Sequence, residues 1–177
     1  MLDKLAGDIL IPLKEYPHIL HYKTIKEAME IMVHSELIVD GIKSRPRALL
    51  VIDDEQHLLG IVRRRDILRG IEPKFLRVMP VHHRHSIFDI QTDSHLIDMH
   101  IGNITNEMKC LSDSHISEVM SRISTTVKVD DHLAKIAFKM ISRDIDVIVV
   151  MEGKKPIGIV RTVDVLNAVW RLLENND

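Results

Sequence analysis

The nonapeptide Gly60-Ile61-Val62-Arg63-Arg64-Arg65-Asp66-Ile67-Leu68 returns as Gly158-Ile159-Val160-Arg161-Thr162-Val163-Asp164-Val165-Leu166. Six of the nine positions are identical, at an offset of 98 residues, in a chain of 177. A chain that repeats itself once, at about half its length, is confined to architectures of two similar units, because the repeat sets the layout of everything else.

The repeat extends upstream. Leu49-Leu50-Val51-Ile52 matches Val147-Ile148-Val149-Val150 at the same offset, and each branched apolar run reads as a buried strand. Polar turns follow, Asp53–His57 and Glu152–Pro156, and then second apolar runs, Leu58 to Val62 and Ile157 to Val160. Each copy therefore predicts a hairpin. A helix opens at Asp66 and at Asp164; the first stops at Gly70, and the second runs to about Leu173. Ahead of each hairpin lies an amphipathic helix, carried by Ile25, Ala28, Met29 and Met32 and by Leu133, Ile136, Ala137 and Met140. Thr24 and Asp130 or Asp131 are N-cap candidates. Extended segments precede these helices, Glu15 to Tyr22 and Ile123 to Val129. The fold class is mixed α+β: two units of strand, helix, strand, strand, helix. Met32 to Gly60 is about ten residues longer than Met140 to Gly158, which places an insertion within Val33 to Arg47.

These residues resemble the CBS domain, which occurs in tandem as a Bateman module. The resemblance rests on Gly-hydrophobic-Val-x-x-x-Asp-hydrophobic-Leu after an apolar strand, with a helix bearing an internal Ala before it. Gly7-Asp8-Ile9-Leu10-Ile11-Pro12-Leu13 and Ile116-Ser117-Glu118-Val119-Met120 are similar to the lead-in of each copy. The likeness covers most of 7–70 and 114–173. It implies a first unit at 1–70, a connector at 71–113, and a second unit at 114–177, the units related by a pseudo-twofold axis.

Composition narrows the class. The chain is 45% hydrophobic and 28% charged, ordinary for a globular protein. A net charge of −2 and only six aromatic residues argue against nucleic acid as a partner, despite the local cluster Arg63-Arg64-Arg65 with Arg69. The lone Cys110 allows no internal disulfide and points to a reducing cytoplasm. No apolar run approaches the ~20 residues needed to span a bilayer. The N-terminus does not read as a signal peptide, and the module is expected to be free-standing. No nucleophile elbow or glycine-rich phosphate loop occurs, so no enzymatic activity is expected.

The resemblance further implies clefts between the copies, where adenosine compounds bind in related modules. An adenine needs an apolar slot, a ribose a carboxylate, and phosphates positive charge or helix N-termini. Asp66 and Asp164 fall on the ribose position; each could equally do no more than cap its helix. The family usually has Thr or Ser where this chain has Arg63 and Arg161, so these arginines either contact phosphates or block the site. The adenine slot falls on Leu49, Leu50 and Val51 in one copy and on Asp146, Val147 and Ile148 in the other. Pro17, His18 and Ile19, with Ile123, Ser124 and Thr125, fall on the cleft walls. Asp146, polar at the start of a strand expected to be buried, either bonds a ligand or caps a turn. Arg45, Arg47 and Arg143, just before the hairpin strands, are either phosphate contacts or solvated loop charges.

Six of the eleven histidines lie between Pro80 and His115: His82, His83, His85, His95, His100 and His115. The first reading is a polar connector, with an added helix over Ile87–Met99. The second is a zinc-type site with Asp89, Asp93 and Asp98, and the third a pH response. The function implied is a cytoplasmic regulatory sensor. It would bind an adenine nucleotide (AMP, ADP or ATP) or S-adenosylmethionine, pack as a homodimer, and signal to an effector protein. The alternatives are a dimerisation module that binds no ligand and a metal-responsive protein.

Overall fold

The computed structural model describes residues 4–39, 41–73 and 94–174. Nine strands and five helices alternate among them: β1 (Ile11–Pro12), β2 (His18–Leu20), α1 (Ile25–His34), β3 (Leu37–Val39), β4 (Ile42–Ser44), β5 (Ala48–Ile52), β6 (Leu58–Arg63), α2 (Arg64–Gly70), α3 (Ser94–Ser112), β7 (Thr126–Lys128), α4 (Leu133–Arg143), β8 (Val147–Glu152), β9 (Lys155–Arg161) and α5 (Thr162–Glu174).

The two units share one plan. β5 pairs antiparallel with β6 and parallel with β2; β8 pairs antiparallel with β9 and parallel with β7. Each amphipathic helix buries most of its predicted stripe, Ile25, Ala28 and Met32 in α1 and Leu133, Ile136 and Met140 in α4; Ala137 is half-buried, and Met29, expected in the stripe, lies at its edge and is exposed. Thr24 caps α1 through a capping box with Glu27. The cap of α4 falls on His132, whose Nδ1 accepts from Ala134 N at 3.2 Å, rather than on either aspartate. Asp131 instead accepts from Lys128 N one turn earlier, at 3.0 Å.

The lead-in segments are exchanged between units. β1 pairs antiparallel with β9, and Ala6 N and Gly7 N donate to Asp131 O and Val129 O. Reciprocally, Ser121 bridges Ile61, and Ile116 N donates to Lys23 O at 2.7 Å. This crossing explains the glycine that opens each nonapeptide. A Cβ on Gly60 would stand 2.7 Å from Ser121 O, and one on Gly158 2.6 Å from Ile11 O. Three cores result. Ile19, Ile25, Leu49, Val51 and Val62 close over Ile116. Val127, Ile136, Ile148, Val150 and Val160 close over Ala6. The third core joins the units through Ile11, Tyr16, Leu37, Ala48, Leu50, Val147, Val149 and Ile159.

Two sequence expectations change. Val51 faces Gly60 and Val150 faces Gly158, so Leu49 corresponds to Ile148, not to Val147. The first turn is one residue longer than the second, and a slip of one residue exchanges the faces of a strand. The remaining extra residues, in 33–47, form the hairpin β3–β4, a two-stranded sheet of its own. Of the helix expected over Ile87–Met99, the part from Ser94 is helical and continues to Ser112; residues 87–93 lie outside the described residues.

Candidate functional site between the units

The repeated arginine and aspartate are partners in both copies. Asp66 Oδ2 accepts from Arg63 N at 3.0 Å and Arg63 Nε at 2.9 Å, and Oδ1 accepts from Nη2 at 3.1 Å. In the second copy Asp164 Oδ2 accepts from Arg161 N and Nε at 2.9 Å each, and Oδ1 from Nη2 at 2.6 Å. The spacing dictates this. The aspartate is the third residue of a helix, so its carboxylate reaches back to the free amide at the N-terminus, where the helix dipole also favours it. The side chain of the residue before the helix then lies alongside, and a guanidinium offers the planar fork that a carboxylate matches. The bonds to Asp66 raise the Arg63 pKa. Burial works against the charge of Arg161, but the bonds to Asp164 outweigh it and raise its pKa as well.

The surroundings differ. The Arg63 side chain keeps 23% of its surface exposed and donates to Ser121 Oγ at 3.2 Å. It borders a crevice of about 310 Å³ whose walls come from both units. Ile61 and Arg65 lie on the first unit's side; Ser121, Arg122 and Ile123 come from the lead-in; Ser124, Thr125, Arg143, Asp146, Val147 and Val149 come from the second unit. The Arg161 side chain is 8% exposed and donates to Ser44 Oγ of the inserted hairpin at 2.9 Å. The space beside it, about 190 Å³, is lined by Val39, Ile42 and Ser44 of that hairpin, by Lys4, Asp8, Ile9 and Leu10, and by α5. Tyr16, 1% exposed, lies in the inter-unit core on this side, and burial pushes its hydroxyl up to about 12 against the opposing pull of Arg161.

The structure thus brings together Arg63, Ser124, Thr125, Asp146 and Val147. Leu49, Leu50, Val51 and Ile148 are buried core residues at 1% exposure or less, in strands flanked on both faces. His18 is exposed and lines a separate shallow depression with Lys23, Glu27 and Gln56. Asp146 lies just before buried β8 rather than in it and is exposed, with its carbonyl accepting from Thr162 N at 3.0 Å, and it borders the crevice. Arg143 lines the crevice, whereas Arg45 lies beside Met29, Val33 and Leu68 on the outer helix face. Ser44, Ser121 and Arg122 were not singled out from the sequence. Their roles depend on segments distant in the chain, although the length difference between copies located the insertion that carries Ser44. Among the described residues no three His, Cys, Asp or Glu side chains converge as a metal site. His82, His83 and His85 lie outside the described residues. No described helix is long and apolar enough to cross a membrane.

No curated protein matches the chain in sequence. Solved structures do match its fold. The CBS domain of a CBS-domain-containing membrane protein from Sphaerobacter thermophilus is 21% identical with a TM-score of 0.60, over 94% of this chain and 88% of that one. A putative acetoin utilization protein (AcuB) from Vibrio cholerae is 20% identical with a TM-score of 0.61, over 98% and 95%. CBSX2, in a structure in complex with AMP, is 16% identical with a TM-score of 0.59, over 95% and 97%. The CBS domain family model matches residues 6–73 and 116–171, one copy for each structural unit. With both halves of the repeat matched, the chain belongs to the CBS domain family.

Proposed function

We propose that this CBS pair is a cytoplasmic regulatory module that takes an adenosine-containing nucleotide in the crevice beside Arg63. The observation that carries the reading is the make-up of that crevice. Arg63, Arg65, Arg122 and Arg143 gather where the two units meet, next to the small polar residues Ser124 and Thr125, and its volume suits a small ligand. Guanidinium groups suit phosphate oxygens, and Asp146 offers an exposed carboxylate for hydroxyls or an amino group. That the CBS fold accommodates AMP in CBSX2 supports the choice of nucleotide. Asp66 enters as the residue that orients Arg63, since both its oxygens are engaged by that arginine. A ligand walled by both units shifts their relative arrangement in proportion to its differential affinity for the two arrangements, and that shift is the signal.

The exposed apolar faces support a homodimer. Phe138 and Ile141 of α4 and Leu166, Trp170 and Leu173 of α5 stand 59–81% exposed, and Met29, Val33 and Leu68 form a smaller face on the first unit. Replacing Trp170 by Glu should shift a dimer to monomer in sedimentation velocity. Thermal melts with ATP, ADP, AMP and S-adenosylmethionine, then with zinc and chelator, test the ligand. A nucleotide should raise the midpoint by mass action. A rise with zinc alone would replace this reading with the metal-responsive one, and no response to any would leave a structural dimerisation module.

A further inference from the structure

We infer that the inserted hairpin β3–β4 is a built-in occupant of the second crevice, so that the chain presents one ligand site rather than two. The inference rests on the reading that the open crevice takes a ligand. The counterparts of the open crevice's lining can be traced by the strand register. Ile61 and Arg63 correspond to Ile159 and Arg161, and Val147 and Val149 to Ala48 and Leu50. Ser121 corresponds to Ile11, since each lies opposite the same position of its hairpin.

On the open side these positions border a crevice. On the other side Ile11, Ala48, Leu50 and Ile159 are at most 5% exposed; Val147 and Val149 are themselves buried, at 8% and 1%, and belong to the same core, so the difference lies in Leu37 and Val39, which the insertion adds to that core. Leu37 and Val39 belong to the insertion and have no counterpart in the second unit, where α4 is followed by only Asp144-Ile145-Asp146 before β8. The polar edge is satisfied as well as the apolar one. Ser44 Oγ accepts from Arg161 Nη1, the nitrogen not used for Asp164, whereas Ser121 Oγ accepts from Arg63 Nη2, which also donates to Asp66. The insertion thus supplies apolar side chains and a hydroxyl that narrow the space to about 190 Å³ and meet the arginine that a ligand would otherwise meet.

The test compares the two arginines, which carry the same bonds to their aspartates and differ in what covers them. The full chain is treated with phenylglyoxal and the modified arginines are mapped by mass spectrometry. In parallel, ATP and AMP are titrated by calorimetry. Arg161 should react several-fold more slowly than Arg63, and ATP should saturate at one equivalent per chain. Replacing residues 36–47 by Asp-Ile-Asp, the link of the second unit, should bring the reactivity of Arg161 up to that of Arg63. Should that variant fail to fold, Leu37→Ser with Val39→Ser loosens the hairpin at its native length and must raise the reactivity of Arg161. Equal reactivity in the native chain, no rise in either variant, or two equivalents of ATP bound by the native chain overturns the inference. An absence of nucleotide binding together with a protected Arg161 overturns the ligand reading instead and leaves the occlusion standing.

Discussion

Arg63 and Arg161 sit at the same place in the repeat and hold their aspartates through the same three hydrogen bonds, yet one borders a crevice of about 310 Å³ and the other lies 8% exposed beside a space of about 190 Å³. The difference does not originate in the motif. It comes from the hairpin inserted in the first copy, whose Val39, Ile42 and Ser44 border the second copy's arginine. A duplicated unit can keep its internal hydrogen bonds and still diverge in use, because the space between the copies is shaped by segments outside the repeat.

The largest effect should separate the two aspartates. Asp164→Ala leaves a buried guanidinium without its counter-charge, a loss of about 3–5 kcal/mol. Asp66→Ala removes the same bonds from an arginine that can turn to solvent, and should cost about half as much. Urea denaturation of both variants decides; equal losses would mean that the two sides are covered alike. The glycines should behave the other way. Gly60→Ala and Gly158→Ala each push a methyl against the other unit's lead-in backbone and should cost about 1–3 kcal/mol apiece. A strong inequality there would show that the exchanged lead-ins cross at different distances.

Tyr16 sharpens the comparison through pH. Its folded pKa is raised to about 12 from an ordinary value of 10.0, so the neutral form is the one the fold favours. The stability it contributes is whole below pH 10 and declines as pH rises from 10 towards 12, by at most about 1.4 kcal/mol per pH unit. Tyr16→Phe should remove that slope in alkaline denaturation and leave neutral-pH stability nearly unchanged. On the open side, Arg143→Ala should weaken ATP binding about tenfold, or about 1.4 kcal/mol. Its melting temperature should not move, because the side chain is exposed. The smallest effect is at the helix starts: Thr24→Ala breaks a capping box and should cost about 1 kcal/mol, while His132→Ala, whose cap bond to Ala134 N is long at 3.2 Å, should cost less.

The strands, the two amphipathic helices and the pairing of hairpins were legible in the chain, because apolar periodicity of two and of 3.6 is a local property of the residues. The insertion was also legible, as a length difference between copies. The one-residue shift between Leu49 and Ile148 was not, since a longer turn is invisible to an offset taken from the nonapeptide. The Arg–Asp pairs were half legible. Each residue was picked out, but their bonding to each other rather than to an external group depends on backbone geometry at the helix start.

By itself the sequence determined that this protein is a doubled CBS unit with an arginine and an aspartate three residues apart at each second helix. Only the tertiary structure decided that Ser124, Thr125, Arg143 and Asp146 would face Arg63 across a crevice, while Val39, Ile42 and Ser44 would border Arg161. The reason is range. Helix and strand patterns arise from neighbours along the chain, whereas a crevice between units arises from segments some 60 to 120 residues apart, Arg63 to Ser121 and Ser44 to Arg161, brought together by the exchanged lead-ins and the packing of the inter-unit core.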